Sequence, residues 1–172
     1  MRPLMIEIDP LRSVGPVLIG SSHEEAGQAL RVWGEPVPYA PYPGALPLDW
    51  RINGGDTGID AFVHCGSTGA VQAVEIFRDS DTRPRAQVLL LGVDVFSMPA
   101  GQVMEVLRER FEIEEEDDCG FTVPEISVGL WRSIVPGEDA DEAERERYTC
   151  FESVLAARPG YYARPSAPEP GR

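Results

Sequence analysis

Lysine is absent from this chain of 172 residues, whose 15 basic side chains are all arginine. That absence closes Schiff-base chemistry, pyridoxal attachment and the phosphate-cradling lysine of a P-loop. Histidine is nearly as scarce, with only His23 and His64, and no CxxC or HxxxH spacing occurs. Structural zinc, which needs four such ligands, is therefore excluded. The three cysteines, Cys65, Cys119 and Cys150, are odd in number and widely separated, so they read as reduced, partly buried thiols rather than a disulfide framework. Long apolar runs are lacking too. The longest, Val88 to Val93, ends at Asp94, far below the roughly 18 residues of a membrane span. The first ten residues hold Glu7 and Asp9 within their apolar run and do not have the uninterrupted apolar centre or small-residue cleavage site of an export signal. The expectation is a cytoplasmic protein with no membrane contact, no metal and no cofactor. Arginine without lysine, beside abundant Ala, Gly, Pro and Val, also has the look of GC-rich bacterial coding.

What the chain does contain is acid: 29 Asp and Glu, for a formal net charge of -14. Such a field repels phosphate backbones, which excludes nucleic acid as a partner. Its natural complement is a basic protein surface, although acidic charge also serves plain solubility. Hydrophobic residues make up 42%, with 17 Gly and 16 Pro, a composition for a packed core joined by many turns. The length suits a single domain, expected over residues 1–162. Residues 163–172, with Pro165, Pro168 and Pro170, have nothing to bury and are expected to be a disordered tail.

Along the chain, Leu4, Ile6 and Ile8 alternate as a short strand, expected at a sheet edge. Val17-Leu18-Ile19 leads through Gly20-Ser21 into a helix opened by a Ser22/Glu25 capping box. Ala26, Ala29, Leu30 and Trp33 share one face, and Gly34 with Pro36 ends it. Residues 36–55, with five prolines, read as an extended loop. Gly58 to Cys65 and Ala70 to Phe77 flank Gly66-Ser67-Thr68-Gly69 as a hairpin. Gln87 to Val95 reads as one strand covered on both faces, and a second helix spans about Pro99 to Phe111. Further strands are expected at Phe121 to Val123, Val128 to Val135 and Tyr148 to Leu155. The fold class is thus α+β, an antiparallel sheet with two helices packed on one face.

Val103, Val106, Leu107 and Arg110 stand 77 positions after Ala26, Ala29, Leu30 and Trp33, and Gly92 stands 77 after Gly15. Either the chain is a tandem duplication of a helix-plus-meander unit, with half-repeats 13–77 and 90–155, or two strand-turn-helix patterns arose independently. The strand leading to Gly20-Ser21-Ser22-His23-Glu24-Glu25, together with the exit from Leu30 to Pro36, resembles the repeat shared by the beta-lactamase-inhibitor protein and the outer-membrane assembly lipoprotein BamE. That resemblance implies a helix or helical hairpin on an antiparallel sheet, in a non-enzymatic protein that grips another protein with its sheet surface. It carries across no individual binding residue.

Candidate site residues fall into two groups. Glu114, Glu115, Glu116, Asp117 and Asp118, after Glu112, form the densest charge cluster: a solvated loop, or a surface for a cationic protein. Its composition lacks the alternating ligands and central glycine of a calcium loop. Tyr39, Tyr42 and Trp50 on the proline-rich loop have the composition of interface anchors, unless the loop folds back to plug the sheet. Trp131 is expected in the core. His64 and Cys65 are strand neighbours, so they point to opposite faces and cannot serve as base and nucleophile. No catalytic residue is expected. The sequence reading is an intracellular protein-binding domain of inhibitor or immunity type with an acidic surface. The alternative is a small-molecule site under the loop 36–55, lined by Tyr39, Tyr42 and Trp50.

Overall fold

In the computed structural model the described residues are 3–45, 49–78 and 85–163. They form a mixed α+β structure, mostly sheet, with three helices. The tail expected at 163–172 lies, apart from Ala163, outside the described residues. No described helix is long and apolar enough to cross a membrane.

Two sheets are present where one was expected. The smaller contains β1 (Met5–Asp9), β2 (Ser13–Val14), β3 (Val17–Leu18), β8 (Gln87–Leu90) and β9 (Val93–Asp94), in the order β3-β2-β1-β8-β9. The first strand is therefore central rather than an edge, and it runs parallel to β8. Residues 87–95 are a hairpin, not one strand, because Leu91 and Gly92 both take positive φ, 51° and 81°, and reverse the chain in two residues. Gly15 (φ 53°) makes the matching turn before β3, and Trp33 packs against it so closely that an added Cβ would lie 2.6 Å from the indole.

The larger sheet is antiparallel throughout. Its strands are β4 (Val37–Tyr39), β5 (Asp49–Asn53), β6 (Ile59–Cys65), β7 (Val71–Arg78), β10 (Glu114–Glu115), β11 (Gly120–Val123), β12 (Val128–Trp131) and β13 (Ser153–Ala157). The order is β10-β11-β12-β13-β7-β6-β5-β4. The supposed loop 36–55 thus holds two strands, and Tyr148 to Glu152 precede β13 rather than belonging to it. The order reads alike from either edge: four consecutive strands of the first half face four of the second across the β7–β13 seam, where Glu75 is opposite Leu155. Among the described residues each half also has a single 3-10 turn at the same place, Gly55–Thr57 before β6 and Pro124–Ile126 before β12.

Helix α1 (His23–Leu30) starts where the capping box places it. The Glu25 amide donates to the Ser22 hydroxyl, and the Ser22 amide donates back to the Glu25 carboxylate at 2.9 Å. Helix α2 (Ala100–Arg108) begins one position after Pro99 and buries Val103, Met104 and Leu107. Helix α3 (Glu142–Tyr148) is short, polar and has no buried residue, as befits the acidic stretch that encodes it.

Alternation along the larger sheet divides its residues. Ile52, Ala61, Val63, Val74, Ile76, Val128, Leu130, Val154 and Ala156 are buried on the inner side. They share one hydrophobic cluster with Leu30, Val103 and Leu107 of the helices and with Ile6, Ile8, Val88 and Leu90 of the smaller sheet. At about 25 cal/mol per Å² of apolar surface removed from water, this layer is the principal stabiliser. The opposite side of the larger sheet carries mostly half-buried or exposed residues, with Ala73, Ala157, Ser153 and Asp49 buried among them.

Candidate binding face

That outer side is built by register. Reading across the strands, Glu114, Thr122, Gly129, Leu155, Glu75, Phe62, Arg51 and Val37 occupy one continuous row. The neighbouring row runs Gly120, Trp131, Ser153, Phe77, Asp60 and Asn53.

At the β4 end the face is aromatic. Phe62 meets Tyr39 and Phe77 edge-on, with ring centroids 5.5 and 5.6 Å away, and lies near-parallel to the His64 ring at 6.4 Å. The Arg51 guanidinium sits 5.3 Å over Phe62 and pairs with Asp60 at 3.4 Å. Edge-to-face packing of this kind adds modestly to burial itself and fixes ring positions.

Beside the aromatics, His64 is held between two carboxylates. Its Nδ1–H donates to Asp49 Oδ2 at 3.0 Å, and its Nε2 stands 3.6 Å from Glu75. Asp49 is buried, at 3% exposure, and its other oxygen accepts the Cys65 amide at 2.8 Å, so the buried charge is fully partnered. Glu75 and Asp49 together raise the His64 imidazole above its ordinary 6.5, against the opposing effect of burial. With carboxylates beside both ring nitrogens, His64 is clamped within the sheet face. Cys65, as expected, does not share its side of the strand. Burial, with Asp49 adding to it, pushes the Cys65 thiol up to about 11, which suppresses thiolate at neutral pH.

At the β10 end the outer face carries Trp131 and a shallow cleft of about 190 Å³. Trp131 is 45% exposed, which corrects its expected place in the core: strand parity turns Val128 and Leu130 inward and Trp131 outward. Tyr162 lies over Gly129, where an added Cβ would come within 2.3 Å of its hydroxyl. Burial, aided by Tyr161, Glu75 and Glu116, pushes the Tyr162 hydroxyl far up.

The two groups of residues picked from sequence sit at opposite edges of this sheet, Tyr39 on β4 and Glu114 and Glu115 on β10. Tyr39 is on the outer face and Tyr42 is exposed in the loop beyond it. Trp50 is not with them. It alternates to the inner side, stacks on His23 at 4.5 Å, and donates its indole N–H to the His23 carbonyl at 2.8 Å. Helix α1 approaches so closely at Gly27 that an added Cβ would stand 2.7 Å from the indole. Trp50 is therefore no interface anchor, and Tyr39 and Trp50, on opposite sides of one sheet, do not line a common pocket. His23, under the indole, is half-buried.

The acidic cluster is partly engaged within the molecule. Glu115 pairs with Arg108. Asp117 accepts the amides of Cys119 and Gly120 at 2.7 and 2.8 Å, shaping the β10–β11 turn. The Asp118 carbonyl accepts from Arg132. Among the described residues no group of three or more His, Cys, Asp or Glu is arranged to hold a metal ion. The sequence search missed Phe62, Phe77, Glu75 and Tyr162. The signal present for the first was the alternation of Asp60, Phe62 and His64 against Ile59, Ala61 and Val63, which marked one side of the hairpin as polar and aromatic.

No family model, no curated protein sequence and no solved structure matches this chain.

Proposed function

We propose that this protein is a non-enzymatic protein-binding module of inhibitor or immunity kind, and that the outer face of the eight-stranded sheet grips its partner. The observation that carries this reading is the set of aromatic rings, Tyr39, Phe62, Phe77 and Trp131, presented across one side of a sheet whose other side is core. Rigid rings on a flat scaffold are the usual anchors of protein interfaces, because they bury much surface at small entropic cost. Glu75 and Asp60 lie among them and Glu114 and Glu116 lie at the β10 end, so the matching surface combines apolar groups with basic ones. The clamped state of His64 favours binding over acid-base chemistry, since a general base needs a ring nitrogen free to reach its substrate.

The same reading takes the molecule as a tandem duplication. In its support, the strand order is symmetric about the β7–β13 seam. The helix-start residues Ser22 and Pro99, 77 positions apart, each bridge to a residue just ahead of a seam strand, Ala70 and Cys150. Sequence profiles built separately from relatives of residues 13–77 and 90–155 are expected to find one another; profiles that never do so overturn the duplication.

The test of function is capture from host lysate on three columns carrying the wild type, Trp131→Glu, and Leu18→Glu on the smaller sheet as a control. One partner retained in stoichiometric amount by wild type and control, released by salt and lost from Trp131→Glu, supports the reading. Equal retention by Trp131→Glu, or no stoichiometric partner, overturns it.

A further inference from the structure

The cleft at the β10 end has a construction more specific than a flat aromatic surface. Trp131 and Tyr162 stand at its sides, Gly120 leaves its floor without a side chain, Tyr162 covers Gly129, and Glu75 and Glu116 bring carboxylates from a strand and a turn. Each part is supplied by a different element. Trp131 comes from β12, Tyr162 from the segment after β13, Glu75 from β7 on the far side of the seam, and Glu116 from the β10–β11 turn.

We infer that this cleft is a receptor for a single arginine side chain of the partner protein. Three features select that group. Aromatic faces attract a cation through the ring quadrupole, and a flat guanidinium lies along them better than a compact ammonium does. Two carboxylates give a forked donor two acceptors. The open space at Gly120 lets a long, thin side chain approach the backbone, and at about 190 Å³ the cleft holds one such chain and not a folded segment. Glu75 already faces His64 with one side of its carboxylate, and Glu116 is exposed, so a cationic occupant adds a second partner to the first and a first approach to the other. That glycine has a second use here. At Gly120 a Cβ would sit 3.7 Å from Trp131 and 3.9 Å from Glu116, filling the floor without disturbing its neighbours.

The inference rests on the outer sheet face being the partner surface, and its test is kept separate from partner capture by using a peptide. The full-length, ¹⁵N-labelled protein is titrated with acetyl-Gly-Arg-Gly-amide, and in parallel with the same peptide carrying citrulline, which keeps the shape and removes the charge. The readout is the indole N–H signal of each tryptophan, assigned through Trp131→Phe. A saturable shift confined to Trp131 in the arginine titration, absent with citrulline, is the expected result. Glu116→Gln is expected to weaken it by roughly two- to fivefold, and Gly120→Ala to abolish it while leaving the remaining spectrum unchanged. No saturable shift, an equal response to citrulline, or an undiminished response in both variants overturns the inference. A receptive cleft with no captured partner would instead refute the protein-binding reading while leaving the arginine site standing.

Discussion

Leu91 is a β-hairpin turn residue in a left-handed conformation, with φ of 51°, where a branched side chain crowds its own carbonyl at a cost of about 1–2 kcal/mol. It is also 39% exposed, so little burial offsets that strain. Leu91→Asn, which creates the preferred Asn-Gly turn with Gly92, is expected to stabilise the protein by about 1 kcal/mol, read from the midpoint of urea unfolding at unchanged slope. His64 supplies a second prediction. Its imidazole titrates above 6.5 when folded, so its contribution to stability is fully present below the unfolded value near 6.5. That contribution is lost as pH rises through the higher folded value. An NMR titration of the His64 ring protons is expected to show a midpoint above 6.5 that falls in Glu75→Gln, the variant that removes the larger cause. A midpoint unmoved by that substitution refutes the clamp. At this scale the sequence was legible where chemistry is local. Ser22 and Glu25 announced their own hydrogen bonds, and His64 and Cys65 their opposite faces. Asp49 and Glu75 were not legible as partners of His64, because 15 and 11 residues of chain and a strand register separate them from it.

Among the elements, the two outer strands of the larger sheet show how its edges are kept from pairing with other chains. β4 carries Pro38, which offers no amide hydrogen, and β10 is only Glu114 and Glu115, both charged. Proline, charge and brevity are the usual protections of an exposed edge. Replacing all three, as Pro38→Val with Glu114→Thr and Glu115→Val, is expected to produce concentration-dependent self-association in sedimentation velocity; an unchanged distribution over a wide concentration range would show that neither edge is available. The same proline explains why the residues of β4 and β5 read as loop in the sequence. Five prolines between residues 36 and 47 are a strong local argument against a strand, and only the pairing of Val37 with Arg51 and Tyr39 with Asp49 overrides it. Trp50 was misplaced for that reason, since a loop residue has no fixed side whereas a strand residue does. The hairpin of β6 and β7 was readable because its turn chemistry and its alternation agreed.

For the whole molecule the decisive fact is that one hydrophobic cluster spans both sheets and both longer helices. Ile76 and Val154, facing each other across the seam, are both buried in it, at 0% and 1% exposure. Ile76→Ala is expected to cost about 2–5 kcal/mol. It should lower a single unfolding transition, seen alike by circular dichroism and by tryptophan fluorescence; separate transitions by the two probes would mean that the halves unfold independently. The sequence contained the repeated 77-residue spacing but no statement of which strands would meet, and so gave no sign of a second sheet or of the β1–β8 pair.

The seam also bears on how the chain is made. β7 emerges from the ribosome with its inner neighbour β6 already available, but its other edge must wait for β13, whose register partner to Glu75 is 80 positions later. At ~5–20 residues per second that interval is roughly 4–16 s. Throughout it the nascent first half presents an unpaired strand, Val71–Arg78, with neither proline nor like-charge protection. The stretch of translation between the two halves is thus the period in which this strand edge is open to mispairing, and slowing synthesis there would lengthen its exposure.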